Sequence, residues 1–158
     1  MITIEPPSRL SNSVLTTLSR SGLARFLNRA RKAVDLEGEV DVLLTSDAVL
    51  KKLNRDFRGK NKATDVLSFP SPEQIASEHA GDLAISLEMA ARQAASFGHT
   101  LRDEVRILLL HGLLHLSGMD HETDKGEMAA REAELRRELR LPVTLIERAT
   151  APARRRTA

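Results

Sequence analysis

The sequence has no cysteine, tryptophan or tyrosine and only four phenylalanines. The absence of cysteine excludes disulfides and thiolate metal sites, which leaves histidines and carboxylates as the strong metal ligands. The scarcity of aromatic side chains requires an aliphatic core and provides few platforms for stacking nucleic-acid bases. No apolar run approaches the roughly 18 residues of a membrane-spanning helix, and the N-terminus does not resemble a signal peptide. We therefore expect a cytoplasmic protein that has no membrane partner.

The length of the chain, 158 residues, suits one domain with a properly buried core. We predict a single domain over residues 1–148. Residues 149–158 are rich in alanine, proline and arginine, a composition typical of a disordered basic tail.

Hydrophobic periodicity predicts an α+β fold, with a small mixed sheet surrounded by about five helices. Residues 55–64 and 70–80 are expected to be loops, and no βαβ repeat is evident. Strands are predicted at residues 2–4, 40–44, 66–69 and 81–86. Residues 12–35 have a long helical pattern, but Gly22 weakens its continuity, so a helix is predicted in the second half. Further helices are predicted from the N-cap candidate Ser46 to Asn54, at 87–97, from Thr100, with Asp103 three residues on, into a group of histidines, and at about 124–140. The broad apolar content of the helix that enters the histidines indicates a central, largely buried helix.

Positive charge is concentrated in one segment, residues 51–62, although the net charge of the chain is only +2. This basic segment has a single acid, Asp56, against the basic residues Lys51, Lys52, Arg55, Arg58, Lys60 and Lys62. Such a local patch is typical of a surface that binds phosphates. A solvated helix face followed by a loop would have the same composition, so charge alone leaves both interpretations open.

Three of the five histidines fall within residues 111–121, namely His111, His115 and His121. His111 and His115 are spaced i, i+4 on a predicted helix, so both imidazoles point to the same side and suit one zinc ion. Gly118 permits a left-handed turn after the helix, which lets His121 supply a third nitrogen. Three protein ligands leave one coordination position open, which is typical of a catalytic metal site.

A simpler interpretation competes with the metal site, because a lone histidine in a helix is usually a core or surface residue. The grouping of three favours the metal, and we predict one divalent transition ion, with Zn²⁺ the first choice; three imidazoles also suit nickel, copper or iron. Asp82 or Asp120 is a candidate for orienting a ligand histidine through a hydrogen bond. His79 and His99 do not belong to a group of histidines and are interpreted as ordinary loop residues.

The spacing of the three histidines matches the zinc-protease pattern H-E-x-x-H-x-x-G-x-x-H. Gly112 stands where a protease has its general-base glutamate, so peptide hydrolysis is disfavoured. The glycine indicates either close access to the helix backbone or tight packing.

Residues 111–121 resemble the H-x3-H-x5-H signature of the YbeY family of bacterial endoribonucleases. Residues 53–70, LNRDFRGKNKATDVLSFP, resemble that family's basic block, with Ala63 in place of a common proline. A third block, GDLAIS at residues 81–86, resembles the family's G-D-[IL]-x-I strand. The blocks follow the family's order and spacing, and the resemblance covers about residues 38–140.

The resemblance implies an α+β fold with a metal site like that of zinc proteases, and cleavage of single-stranded RNA. It also implies a role in maturation of the 3′ end of 16S rRNA and in ribosome quality control. The implied partners are rRNA, the small ribosomal subunit, and a ribosome-assembly GTPase or ribosomal protein. On this sequence the family's metal ligands are His111, His115 and His121, and its functional arginine is Arg58.

We expect the metal to act as a Lewis acid that lowers the pKa of its water towards about 7, while Arg58 clamps the scissile phosphate. His115 and Arg58 are thus the predicted catalytic residues, although Arg58 would otherwise be read as a surface ion-pair residue. Arg55, Lys60 and Lys62 are predicted to bind flanking RNA phosphates. Either a water or the neighbouring 2′-hydroxyl attacks phosphorus, and the two routes leave different product ends.

A non-enzymatic function, that of a metal-stabilised RNA-binding or ribosome-assembly factor, stays open at this point. The lack of an evident general base and of stacking aromatics favours it, whereas the open metal position favours an enzyme. A metalloprotease-like hydrolase is a third, weaker alternative because of Gly112.

Overall fold

The computed structural model describes residues 1–119 and 125–142 of the chain. The strands are β1 (Ile2–Ile4), β2 (Glu39–Thr45), β3 (Val66–Pro70) and β4 (His79–Ser86). The helices are α1 (Asn12–Leu15), α2 (Arg20–Ala33), α3 (Asp47–Arg58), α4 (Leu87–Phe97), α5 (Leu101–Leu116) and α6 (Glu127–Glu138), with a short 3-10 helix at Glu73–Ile75. The predicted α+β class is confirmed.

The four strands form one mixed sheet in the order β1-β2-β4-β3. β1 pairs with β2 and β2 with β4 in parallel, whereas β3 pairs with β4 in antiparallel fashion. The parallel pair β1 and β2 makes α1 and α2 the crossover of a βαβ-type unit. The sequence did not reveal this unit, because the pairing of β1 with β2 joins segments about 40 residues apart, and local periodicity carries no information on it.

The two faces of the sheet carry different helices. Leu83 and Ile85 of β4 belong to the main core, which also contains most of the apolar residues of α5. The intervening Ala84 belongs to a smaller cluster with Leu50 of α3 and Leu67 of β3. Because alternate strand residues point to opposite faces, α5 and α3 lie on opposite sides of the sheet. The predicted central, buried helix is therefore α5.

Helix starts follow local side-chain capping, as the sequence predicts at two positions. The Ser46 hydroxyl accepts the Val49 N–H before α3, and the Thr100 hydroxyl accepts the Asp103 N–H before α5. Ser19 caps α2 in the same way, so the long helical stretch predicted near the N-terminus is divided there. Each such cap satisfies a backbone donor that the first helical turn leaves without a partner.

Two predicted loops are partly regular. Residues 55–58, predicted as loop, continue α3, which ends only at Gly59, where φ is 71°. A charged segment does not interrupt a helix, and only the left-handed glycine ends this one. The loop predicted at residues 70–80 contains the 3-10 helix, and its last two residues begin β4. His79 is thus a strand residue, not the loop residue the sequence suggested.

The predicted last helix is confirmed over a narrower span, as α6. The predicted tail, residues 149–158, lies outside the described residues. Within residues 1–119 and 125–142, no helix has the length and apolarity needed to cross a membrane.

Candidate functional site

His111 and His115 lie one turn apart on α5 and bring two ring nitrogens together. Their Nε2 atoms are 3.2 Å apart, and the rings are inclined at 74° with centroids separated by 4.8 Å. Two imidazole nitrogens on a tetrahedral zinc ion, with bonds of about 2.0–2.1 Å, lie roughly 3.3–3.4 Å apart. The two side chains therefore fit a shared transition-metal ion.

The chain turns sharply where α5 ends. Ser117 is the C-cap of α5, and the Met119 N–H donates to the Leu114 carbonyl at 3.1 Å. Between them Gly118 has a φ of 101°, a value that L-residues with side chains rarely adopt. The predicted left-handed glycine is confirmed. His121, the predicted third ligand, lies outside the described residues.

The other ring nitrogen of His111 is held by a carboxylate from a different helix. His111 Nδ1 lies 2.7 Å from Glu132 Oε1 on α6. A carboxylate only accepts, so this contact places the imidazole hydrogen on Nδ1 and the lone pair on Nε2, the atom next to His115. Metal-binding histidines characteristically donate their second N–H to such a partner. The arrangement thus supports a metal at Nε2.

Glu132 is itself buried and paired with the guanidinium of Arg136, one turn further along α6. Burial alone raises the pKa of the Glu132 carboxyl, but the hydrogen bond from His111, together with the nearby charge of Arg136, outweighs it, so the pKa is lowered. The group is therefore a carboxylate at neutral pH and keeps its acceptor role towards His111.

Glu132 contacts His111 in the way that the sequence suggested for Asp82 or Asp120. Asp82 lies within β4, and its described partner is His79 at 3.5 Å, not His111. Asp120 lies outside the described residues. A sequence signal for Glu132 did exist, since it falls on the same helical stripe as the buried residues Met128 and Leu135. A carboxylate on an apolar stripe needs a buried partner.

Gly112 brings α5 close to the sheet. A Cβ at this position would lie 2.8 Å from Leu83 Cδ2, and the Ser68 hydroxyl donates to the Gly112 carbonyl at 3.2 Å. The tight-packing interpretation of this glycine is confirmed. A glutamate side chain in its place would meet Leu83 in the core, so the protease-like general base has no room here.

Arg58 is the exposed last residue of α3, and its guanidinium makes no hydrogen bond or ion pair with any other described residue. Arg55 differs, because its Nε contacts Asp56 Oδ1 at 3.3 Å. Lys52 contacts the other Asp56 oxygen at 3.4 Å. The hydrogen bond from Arg55, ahead of Lys52, lowers the pKa of the Asp56 carboxyl. Asp56, the one acid of the basic segment, is thus paired with Arg55 and Lys52. The guanidinium of Arg58 faces solvent.

The last turns of α3 and α5 lie at the same end of the sheet, on opposite faces. Phe57 of α3 contacts Phe69 of β3, which is the register partner of Asp82. The adjacent Gly81 packs so closely on α5 that an added Cβ would lie 2.7 Å from Leu116 Cδ2. Arg58 and the two histidines therefore lie towards the same end of the sheet, on opposite sides of it, and no direct contact joins them among the described residues.

A second group of side chains could also hold a metal ion. Asp41, His79 and Asp82 each offer one ligand atom, and these atoms lie within 4.8 Å of one another. Asp41 and Asp82 are paired across β2 and β4. The two carboxylates are solvent-exposed, where such groupings are common without an ion. This group could not be recognised from the sequence while His79 was interpreted as a loop residue, because only its position in β4 brings it to Asp82.

His99 forms a buried pair at the beginning of α5. Its Nε2 lies 2.7 Å from Glu104 Oε1, and the side chains are 7% and 0% exposed. His99 follows α4, outside any helix or strand, as predicted, but it is not an ordinary solvated loop residue. The pair lies at the other end of α5 from His115, so its position favours a structural role.

Comparison with known proteins agrees with this architecture. A family model described as Endoribonuclease YbeY matches residues 9–140. The chain belongs to the YbeY family. Endoribonucleases are RNA-cleaving hydrolases, so RNA is the substrate class that the family name implies.

Individual relatives cover most of the chain. The Endoribonuclease YbeY of Koribacter versatilis is 55% identical over 141 residues, which is 89% of this chain and 91% of the relative. That of Solibacter usitatus is 53% identical over 132 residues, or 84% and 87% of the two chains. A solution structure from Thermotoga maritima matches with a TM-score of 0.56 at 27% identity, covering 98% of this chain and 100% of that one. The YbeY fold expected from the sequence is therefore confirmed.

Proposed function

We propose that this chain is a metal-dependent endoribonuclease that cleaves single-stranded RNA in the maturation of ribosomal RNA. The observation that carries the proposal is the pair of Nε2 atoms 3.2 Å apart on α5, in a chain of the YbeY family. Residues 1–148 act as one catalytic domain.

The metal ligands in this proposal are His111, His115 and His121, and the ion is one divalent transition metal, Zn²⁺ by preference. A bound ion would supply Lewis acidity to a water molecule or a phosphate oxygen at its open position. Glu132 keeps the hydrogen of His111 on Nδ1, and Arg136 pairs with the same buried carboxylate. Both residues therefore position a ligand and do not touch the substrate.

Arg58 binds the scissile phosphate. Its guanidinium is exposed and has no ion-pair partner among the described residues, so no existing contact must be broken when a phosphate arrives. A guanidinium can donate two parallel hydrogen bonds to one phosphate, which suits it to charge that develops during cleavage. Arg55, Lys60 and Lys62 bind flanking phosphates, an attraction that weakens as salt is raised.

Two chemical routes are compatible with these residues. In the first, a water loses a proton and attacks phosphorus, and the departing ribose oxygen takes up a proton as its P–O bond breaks. One product then ends in a phosphate and the other in a hydroxyl. In the second, the neighbouring 2′-hydroxyl loses its proton and attacks, which leaves a 2′,3′-cyclic phosphate and a 5′-hydroxyl. Analysis of the product ends distinguishes the routes.

The biological setting in this proposal is the cytoplasmic ribosome. The substrate is the 3′ region of 16S rRNA, the chain acts on the small ribosomal subunit, and its cleavage also serves ribosome quality control. A ribosome-assembly GTPase or a ribosomal protein guides it there. These assignments are supported by the family membership and by the exposed cations of the basic segment.

A non-catalytic ribosome-assembly factor is the second candidate. It is favoured by one observation, the packing of Gly112 against Leu83, which leaves α5 without a general-base carboxylate beside His111. The same packing disfavours a metalloprotease-like hydrolase.

Cleavage of an unstructured RNA by the purified chain tests the proposal. We expect internal cuts in single-stranded RNA, much slower cutting of the same sequence as a duplex, loss of cutting in chelator, and recovery when Zn²⁺ is returned. Cutting that persists in chelator would remove the metal from the mechanism. Binding to small subunits with no cleavage of free or subunit-bound rRNA would favour the assembly factor.

A further inference from the structure

Phe57 is an exposed aromatic side chain in a protein that has few aromatics. It is 68% exposed, whereas Phe26 is fully buried and Phe69 is half-buried. On α3 it continues the apolar stripe that begins with Leu50, which is buried in the small cluster under this helix. Phe57 lies at the exposed end of that stripe, and no described residue covers its outer face.

The ring of Phe57 is supported from below. Phe69 contacts it edge-on, with centroids 5.5 Å apart and planes inclined at 71°. Phe69 in turn packs against the cluster of Leu50, Leu67 and Ala84. An aromatic side chain braced in this way loses little conformational freedom when a flat ligand settles on it.

Two cations follow this ring closely in the sequence. Arg58 is the next residue and Lys60 comes two positions later, just beyond the end of α3, and the side chains of both are exposed and have no partner among the described residues. The one acid of the segment, Asp56, is held by Arg55 and Lys52. A flat ring beside available cations suits a ligand that is both anionic and planar, which describes an unpaired nucleotide.

We propose that Phe57 is the platform on which an unpaired base of the substrate RNA stacks, while Arg58 and Lys60 bind the phosphates on either side of it. The proposal rests on the proposed RNA-cleaving function and deepens it, since it supplies a physical basis for single-strand preference. The faces of a base inside a duplex are covered by its stacked neighbours, so only an unpaired base reaches the ring.

A protein segment is a poorer occupant than a base. An apolar peptide needs a contiguous apolar patch, whereas here a single exposed ring lies in a segment rich in exposed lysine and arginine. An acidic peptide would pair with the cations without needing the aromatic face. The ring and the cations together favour RNA.

Phe57→Trp provides a direct reporter, because the chain has no tryptophan or tyrosine of its own. The variant would be titrated with a short 2′-O-methyl oligo(U), checked on a gel to be intact, and with the same oligonucleotide annealed to its complement. Stacking predicts saturable quenching of the indole by the single strand and little by the duplex. Ile75→Trp is the matched control, since Ile75 is also an exposed apolar residue, at 46%, and lies outside the basic segment.

Affinity measurements separate stacking from charge. Phe57→Ala should weaken binding of the single strand by about tenfold or more, and Phe57→Tyr should restore it. The slope of log Kd against log salt should stay unchanged in Phe57→Ala, but should fall by about 0.7 in Lys60→Ala, which removes one phosphate contact. Circular dichroism would confirm that each variant is folded.

The outcomes distinguish failure of the stacking platform from failure of the proposed RNA-cleaving function. If the wild-type chain binds oligo(U) but Phe57→Ala binds equally well and Phe57→Trp is not quenched, the stacking platform is wrong and the RNA function stands. If the wild-type chain binds no RNA at all, both fail. Quenching by an acidic peptide that equals quenching by RNA would identify a protein-binding surface and overturn the proposal.

Discussion

His111 on α5 and Glu132 on α6 are joined by a hydrogen bond of 2.7 Å between Nδ1 and Oε1, across 21 residues of sequence. This bond couples the candidate metal centre to the packing of the last described helix. Arg136 pairs with the same carboxylate in a buried position. Glu132 therefore contributes both to the orientation of a candidate metal ligand and to the stability of the fold.

The first prediction concerns that carboxylate. Glu132→Gln should weaken Zn²⁺ binding by about 10- to 100-fold, because loss of a charged hydrogen-bond partner makes the ligand imidazole less basic and less well oriented. Competition with a chromophoric chelator measures the affinity. Glu134→Gln is the matched control: Glu134 is on the same helix but exposed, in a surface pair with Arg131 that contributes little.

The same variant should lower the free energy of unfolding by about 3–5 kcal/mol, because it breaks the buried ion pair between Arg136 and the Glu132 carboxylate. Urea denaturation of the metal-free proteins measures this. Zinc affinity equal to that of wild type in a folded Glu132→Gln protein would show that the His111–Glu132 bond does not serve the metal.

Gly112→Glu is the second prediction and rebuilds the zinc-protease pattern. The variant should be destabilised by more than about 2 kcal/mol, since the side chain would be forced against Leu83 in the core, and it should not hydrolyse casein. Ala95→Glu, an exposed position on α4, is the control for adding a carboxylate to a helix. Peptidase activity in a stable Gly112→Glu protein would mean that this position faces the metal.

The third prediction separates two arginines of one helix. Arg58→Ala should leave zinc content and melting temperature unchanged, yet lower kcat/KM for RNA cleavage by about 10²–10³, as expected when a donor to developing charge is removed. Arg58→Lys should recover only part of the rate, because an ammonium cannot donate the paired hydrogen bonds of a guanidinium.

Arg55→Ala provides the comparison, since Arg55 already pairs with Asp56 and its loss should change the rate by less than about tenfold. Equal effects of the two alanine substitutions would assign the rate to bulk positive charge and not to Arg58.

The fourth prediction concerns the buried pair of His99 and Glu104. His99→Ala should lower the free energy of unfolding by at least about 1–3 kcal/mol, because a buried carboxylate loses a hydrogen bond. Zinc content and cleavage by the folded fraction should be unchanged. A parallel loss of zinc would place this pair in the metal centre after all.

The sequence predicted those parts of the fold that depend on neighbouring residues. α4 was predicted at its observed bounds, and Ser46 and Thr100 were recognised as caps, because capping and periodicity act within a few residues. The end of α3 was placed too early, since a run of charges was taken for a loop although Arg55 and Arg58 are good helix formers.

Contacts between distant segments were not predictable in the same way. Local periodicity carries no information on the parallel pairing of β1 with β2, or on the approach of Glu132 to His111. The i, i+4 histidines could be recognised because helical geometry alone brings their rings together. Glu132 is supplied by a separate helix, whose docking depends on the whole core.

The most direct test of the metal centre measures zinc and cleavage in the same samples of wild type, His115→Ala and His99→Ala. We predict about one zinc per chain and cleavage of single-stranded RNA in wild type and His99→Ala, and loss of both in folded His115→Ala. A His115→Ala protein that keeps its full zinc content and its cleavage rate would contradict the assignment of the metal centre to α5.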